Sequence, residues 1–246
     1  LQHRALSRAL GTNRLSHRSD VCIEAGIPPL AVRRQLELLR YWIAINAPPR
    51  PPVYHMLHNI QPSDILQDRY RSSYLVRLER LLQDLNLDTQ QAAQLSAADL
   101  TNITRSLWTQ HWRHTRLSKP DQRYRDYHVL HQDISFTRPA PYQHSKRGSL
   151  AVWHMLRLST APLNEFLFSI NCCPSPLCAC QRSPESVYHY LLQCPKFTSH
   201  RQIMIRIVKR VIQFNVPIDT TILLGDPYLL AEPELNSIFG AVTTFI

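Results

Sequence analysis

Three thiols and one imidazole fall within a span of 17 residues in this chain: Cys178-Ala-Cys180, then His189, then Cys194 followed at once by Pro195. Thiolates and imidazoles are the ligands that Zn²⁺ takes in four-coordinate structural sites, and ligand type and spacing together carry the signal. One residue between Cys178 and Cys180 lets a tight turn aim both sulfurs at one point. The step from His189 to Cys194 suits one face of a helix and the residue just past its end. That helix is expected to begin with Ser183 as N-cap and Pro184 in the first helical position. It then runs through Val187 to Leu192 and ends at Cys194. Cys172 and Cys173 leave an alternative open, in which either replaces Cys178 as first ligand. Buried structural thiols around a core histidine are the competing reading. A disulfide framework is weaker, since five of the 6 cysteines cluster and the first residues hold no apolar signal-like run.

The elements that must position these residues read as helices. With 5 Gly against 18 Pro, tight hairpin turns are scarce, and the prolines fall between periodic stretches. The expected fold class is mainly α, a helical array with a small C-terminal zinc knuckle. A short basic helix over residues 1–20 ends near Gly11. Val32, Leu36, Leu39 and Ile43, widened by Leu38, Trp42 and Ile45, predict a helix over 31–46. Pro48 to Pro52 break it and mark a boundary. Further helices are expected over 63–85, over 96–115 with Ser96 and Asp99 as a capping pair, over 149–158, 162–170 and 199–214, and from 232 to 245. Residues 117–148 read as loop with a short helix near 124–130, and 223–227 as a turn. Trp108 and Trp112 share a helix face, as core rather than as base-stacking platforms. Three stretches follow: 1–50, 53–148 and 149–246. Both ends read as cuts through something longer.

The chain has 246 residues, a net charge of +10 and a pI near 9.6. Such a balance favours polyanionic partners, chiefly nucleic acid. Candidate contacts are Arg105, Arg113 and Arg116 on the middle helix, Arg182, Lys196 and Arg201 near the thiols, and Arg206, Lys209 and Arg210 beyond them. Tyr188 and Tyr190 are candidates for stacking, with core packing weighed above it. No apolar run reaches the roughly 20 residues that cross a bilayer, so a membrane is not among the expected partners. Catalysis finds no support. Tyr-x-Asp-Asp, any Asp-Asp pair, a Gly-rich phosphate loop and Gly-x-Ser-x-Gly are all absent. Two-metal polymerase chemistry needs paired carboxylates, and no catalytic residue is assigned.

Two segments carry a resemblance. Arg157-Leu-Ser-Thr-Ala-Pro-Leu-Asn164, Ser175-Pro-Leu-Cys178-Ala-Cys180 and Glu185-Ser-Val-Tyr-His189-Tyr-Leu-Leu-Gln-Cys194-Pro195 resemble the C-terminal zinc-knuckle region of reverse transcriptases from non-LTR (LINE-like) retrotransposons. Ala25-Gly-Ile-Pro-Pro-Leu30 with Arg33, Arg34, Leu39, Arg40, Tyr41 and Trp42 resembles the segment just after the polymerase thumb in the same family. The resemblance implies a structural Zn²⁺ on Cys178, Cys180, His189 and Cys194. It also implies binding of RNA or target DNA during target-primed reverse transcription, and an intracellular setting, nuclear or cytoplasmic. Polymerisation would belong to another domain. Ser159 to Pro162 stand where the family has Thr-Gly-His, so no role for that His is carried over. Gln181 stands where the family has Gly after the second Cys, and a strained turn is expected there. Two other readings stay open. In one, the region is a zinc-scaffolded module docking the polymerase domain of the same polypeptide, through the Trp42 face of helix 30–46. In the other, it is a decayed retroelement fragment.

Overall fold

The computed structural model describes residues 1–60, 73–117, 147–212, 217–224 and 232–246. It is mainly α-helical, with no strand among the described residues beyond an isolated bridge between Leu177 and Pro184. The chain groups into two compact units, one formed by 1–27 with 112–246 and the other by 28–111.

In the first unit, α1 (Gln2–Leu10) ends as the sequence indicates, on Gly11 at φ 71°, whose N–H bonds to Ser7 O. Glycine has no Cβ to clash in that region. It also permits close approach, since a Cβ there would meet Ala151 Cβ at 2.5 Å. Helix α2 (Arg18–Glu24) follows. Helices α3 to α6 belong to the second unit. There α3 (Leu30–Asn46) buries Val32, Leu36, Leu39, Trp42 and Ile45, a stripe at three- and four-residue steps. Trp42 Nε1 donates to Thr89 O at 2.9 Å, so its face is covered from within the same unit. The stretch Pro48–Pro52 lies inside this unit and leads into α4 (Pro52–His58), whose His58 ring stands 5.2 Å from Trp42.

Helix α5 (Tyr74–Leu85) starts on Ser73, whose Oγ accepts from Val76 N, and buries Val76, Leu78, Leu81 and Leu82. The N-terminal part of the helix expected over 63–85 lies outside the described residues. Helix α6 (Thr89–Ala93) opens on a capping box of Asp88 and Gln91. Helix α7 (Ala97–Leu117) opens on the reciprocal Ser96–Asp99 pair. Trp108 and Trp112 on α7 are both buried, as core residues.

Back in the first unit, α8 (Arg147–Arg157), α9 (Asn164–Ser169), α10 (Thr198–Val211), α11 (Thr220–Leu224) and α12 (Glu232–Phe245) complete the described helices. Leu223 and Leu224, expected in a turn, lie in α11 and are fully buried. The loop and short helix expected over 117–148 fall almost wholly on residues outside the described set. The core of this unit joins Trp153 and Leu156 of α8 to Met204 and Val208 of α10, and to Ile238 and Val242 of α12. Leu191, in the middle of the Cys/His segment, is fully buried in the same cluster. Burying one such side chain is worth about 1.5–3 kcal/mol, so Leu191 anchors the candidate site to the helical core. No described helix is long and apolar enough to cross a membrane.

Candidate metal centre

After α9 the chain turns through Asn171, at φ 58°, with Cys172 N bonding back to Leu167 O. It then forms a short paired loop. Cys178 N donates to Ser183 O at 2.9 Å and Glu185 N to Pro176 O at 2.8 Å. Glu185 and Asn164 tie this loop to the start of α9. Asn164 N donates to Glu185 Oε2 at 3.0 Å, and Asn164 Nδ2 to Leu177 O at 2.8 Å. The Cys178–Cys180 turn sits at the loop's tip, closed by Gln181 N donating to Cys178 O at 2.7 Å. Gln181 has φ 62°, the left-handed region where an L side chain costs roughly 1–2 kcal/mol. The strain expected from Gln in place of Gly is therefore present in the backbone.

The helix carrying His189 differs from its expected form. Pro184 is held extended by its bridge to Leu177, so the helix cannot begin at Ser183. It begins after Ser186, whose Oγ accepts from His189 N at 3.0 Å. Residues His189–Gln193 then form a π-helical turn, with Cys194 N bonded to His189 O at 2.7 Å. The ligand spacing supplies a reason. Five residues of α-helix at 3.6 per turn would leave the two side chains about 140° apart. Widening the turn to an i→i+5 bond reduces that angle, and such π-turns recur at functional sites.

The outcome is convergence. The ligand atoms of Cys178, Cys180, His189 and Cys194 all lie within 4.8 Å of one another. Cys178 Sγ is 3.6 Å from Cys194 Sγ, and Cys180 Sγ is 3.2 Å from His189 Nε2. A tetrahedron with Zn–S of about 2.3 Å has edges of about 3.8 Å, so the group could hold a metal ion and its donor set is compatible with zinc. Cys178, His189 and Cys194 are buried and Cys180 is half-buried. Cys172 and Cys173 stand outside the group. Cys172 is exposed, and the Cys173 thiol is directed at the carbonyls of Asn164 and Ser175.

The surroundings suit the metal-binding forms of His189 and Cys180 and oppose that of Cys178. His189 Nδ1 lies 2.6 Å from Ser183 Oγ, leaving Nε2 toward the thiols. A partner on the far ring nitrogen fixes the tautomer and the ring orientation of a histidine ligand. A backbone N–H from Arg182 draws the Cys180 thiol down to about 7. Burial pushes Cys178 up to about 12, partly opposed by the Cys180 N–H. Its Sγ also lies 3.7 Å from Glu185 Oε1, which accepts from the protonated thiol. Metal binding must displace such protons and is therefore favoured by rising pH.

Sequence reasoning gave no role to Ser183 beyond a cap. Ser183→Ala is expected to weaken zinc affinity about 10- to 100-fold, the usual effect of removing an outer-shell partner, while leaving one zinc bound at saturation. Competition with a chromophoric chelator measures this.

Among the basic candidates, Arg182, Lys196, Arg206, Lys209, Arg210, Arg105 and Arg113 are exposed. The side chain of Arg116 lies outside the described residues. Arg201 differs from the rest. It is buried, its Nε donates to Leu191 O at 2.9 Å, and its guanidinium also bonds to Cys194 O. It thus satisfies carbonyls left open where the π-turn ends, and it positions Cys194. Tyr190 packs against Phe197 and Phe245, whereas Tyr188 is half exposed. Arg206, Lys209 and Arg210 line a shallow groove of about 420 Å³ on α10.

Compared with family models, with curated proteins and with solved structures, the chain matches none.

Proposed function

We propose that this chain is a zinc-stabilised nucleic-acid-binding segment, the C-terminal part of a retrotransposon reverse transcriptase that positions RNA and target DNA for target-primed reverse transcription. The observation that carries the binding reading is the continuity of the Cys/His group with a basic helix. Cys194 leads through the Pro195–Phe197 turn straight into α10, which contains no acidic residue and exposes Arg206, Lys209 and Arg210. Arg201 of the same helix grips the Cys194 carbonyl, so ordering the ligands also orders the basic face. Arg182, Lys196 and the half-exposed Tyr188 flank the ligands in sequence and add phosphate and stacking contacts. Zn²⁺ supplies folding free energy and no chemistry in this reading. The reverse-transcriptase assignment rests on the motif resemblance, with polymerisation in another domain and an intracellular, nuclear or cytoplasmic, setting. The docking alternative relied on an uncovered Trp42 face. With Trp42 buried and bonded to Thr89 O, that face gives it no support.

The test is salt dependence. Each phosphate contact adds about 0.7 to the slope of log affinity against log salt for a single strand. Lys209→Ala/Arg210→Ala is expected to lower that slope by about 1.4 while leaving zinc content unchanged. An unchanged slope would return both residues to ordinary surface and remove the main support for binding through α10.

A further inference from the structure

In the unit 28–111, helices α3 and α5 leave a groove of about 660 Å³ between them, within the size range of ligand clefts. Its lining includes Arg34, Tyr41, Arg77 and Arg80 together with Glu37 and Asp84. Glu37 is already engaged, since Arg40 Nη1 donates to its Oε1 at 2.7 Å. Arg34, Arg77 and Arg80 are exposed and have no ion pair among the described residues. Among the described lining residues, three guanidiniums therefore stand against one further carboxylate, Asp84. Tyr41 is 47% exposed, yet its ring is positioned. It meets the Tyr74 ring edge-to-face at 5.1 Å, and Tyr74 Oη donates to Leu38 O at 3.0 Å.

We propose that this groove is a binding site for single-stranded nucleic acid, with a base stacked on Tyr41 and flanking phosphates held by Arg34, Arg77 and Arg80. Unpaired guanidiniums are the side chains that bind phosphate in a fork geometry, and a pre-oriented exposed ring is what an unpaired base stacks on. An acidic peptide would satisfy the arginines but leave Tyr41 without a partner, and a duplex offers no free base face. The site stands apart from the zinc-centred reading, because none of its residues belongs to the Cys/His segment or to α10.

The experiment is photocross-linking of the full chain to a short oligouridylate carrying one 5-iodouridine, with and without a zinc chelator. A cross-link on the peptide containing Tyr41, persisting in chelator, is expected. In the Lys209→Ala/Arg210→Ala background, which weakens binding through α10, Tyr41→Ala should weaken binding at least about fivefold and Tyr41→Phe should not. Arg77→Ala/Arg80→Ala should lower the salt slope by about 1.4. Absence of a Tyr41 cross-link, or wild-type binding by Tyr41→Ala, would overturn the proposal. So would displacement from Tyr41 by a polyglutamate of equal charge as readily as by unlabelled oligouridylate, which would make this an acidic-peptide site.

Discussion

Cys194→Ser is expected to abolish zinc retention and to unfold residues 172–197, while the unit 28–111 keeps its structure. Little else holds the first half of that segment. Between 171 and 186 there is no helix, and Cys178 is the one buried residue. Its local order rests on a few turn hydrogen bonds, on the two bonds from Asn164 to Glu185 and Leu177, and on the convergence of Cys178, Cys180, His189 and Cys194. Apparent binding energies for structural zinc in small peptides reach roughly 10–16 kcal/mol, far more than those turns supply. Cys194 is fully buried at the junction with α10, so its loss also leaves Arg201 gripping a displaced carbonyl. Amide hydrogen exchange reads the effect. With free zinc at a hundred times its dissociation constant, protection of 172–197 should exceed that of the metal-free chain by about a hundredfold, equivalent to about 2.7 kcal/mol. Cys194→Ser should exchange like the metal-free wild type at any zinc level. If the four residues form only a hydrogen-bonded thiol pocket, chelation will leave the wild-type protection as it was.

The second large effect lies far from the thiols. Glu24→Gln is expected to lower the unfolding midpoint by roughly 10 °C. Glu24 on α2 accepts from Arg157 Nε at 2.8 Å and lies 2.7 Å from His154 Nδ1, through the same Oε1. All three side chains are buried, and the Arg157 guanidinium also reaches Leu224 O. Removing one partner of a buried pair leaves the other charge uncompensated, at a cost of about 3–5 kcal/mol. Two comparisons identify the cause. Glu37→Gln disrupts an exposed pair with Arg40 and should shift stability by less than about 1 kcal/mol. Glu24→Gln/Arg157→Met should recover much of the loss, since an apolar replacement of a buried pair is often neutral. A Glu24→Gln midpoint equal to wild type would mean that this cluster does not join α2 to α8.

These contrasts mark what sequence can and cannot carry. Features set by neighbours along the chain were legible. The apolar steps from Val32 to Ile45 gave α3, Gly11 gave the end of α1, and Ser96 with Asp99 gave the start of α7. The convergence of Cys178, Cys180, His189 and Cys194 was legible for the same reason, because residue type and short spacing mark a group that could hold a metal. Features set by distant partners were not. Glu24 and Arg157 are separated by 133 residues, and nothing in either neighbourhood announces the pairing. Arg201 looked like any other basic surface residue until its guanidinium was seen on the carbonyls of Leu191 and Cys194. The π-turn escaped because a helical reading assumes 3.6 residues per turn, and the ligand spacing here asks for more. Ser183 was read as a helix cap, a role that Ser186 performs, while its own hydroxyl sets the orientation of His189.

Zinc content per chain, by elemental mass spectrometry, for the wild type and for Cys180→Ser/His189→Ala tests the ligand set directly. One zinc per wild-type chain is expected, and none retained by the double variant after dialysis. A double variant that kept full zinc content would contradict the ligand assignment, and with it the view that zinc orders the basic face of α10.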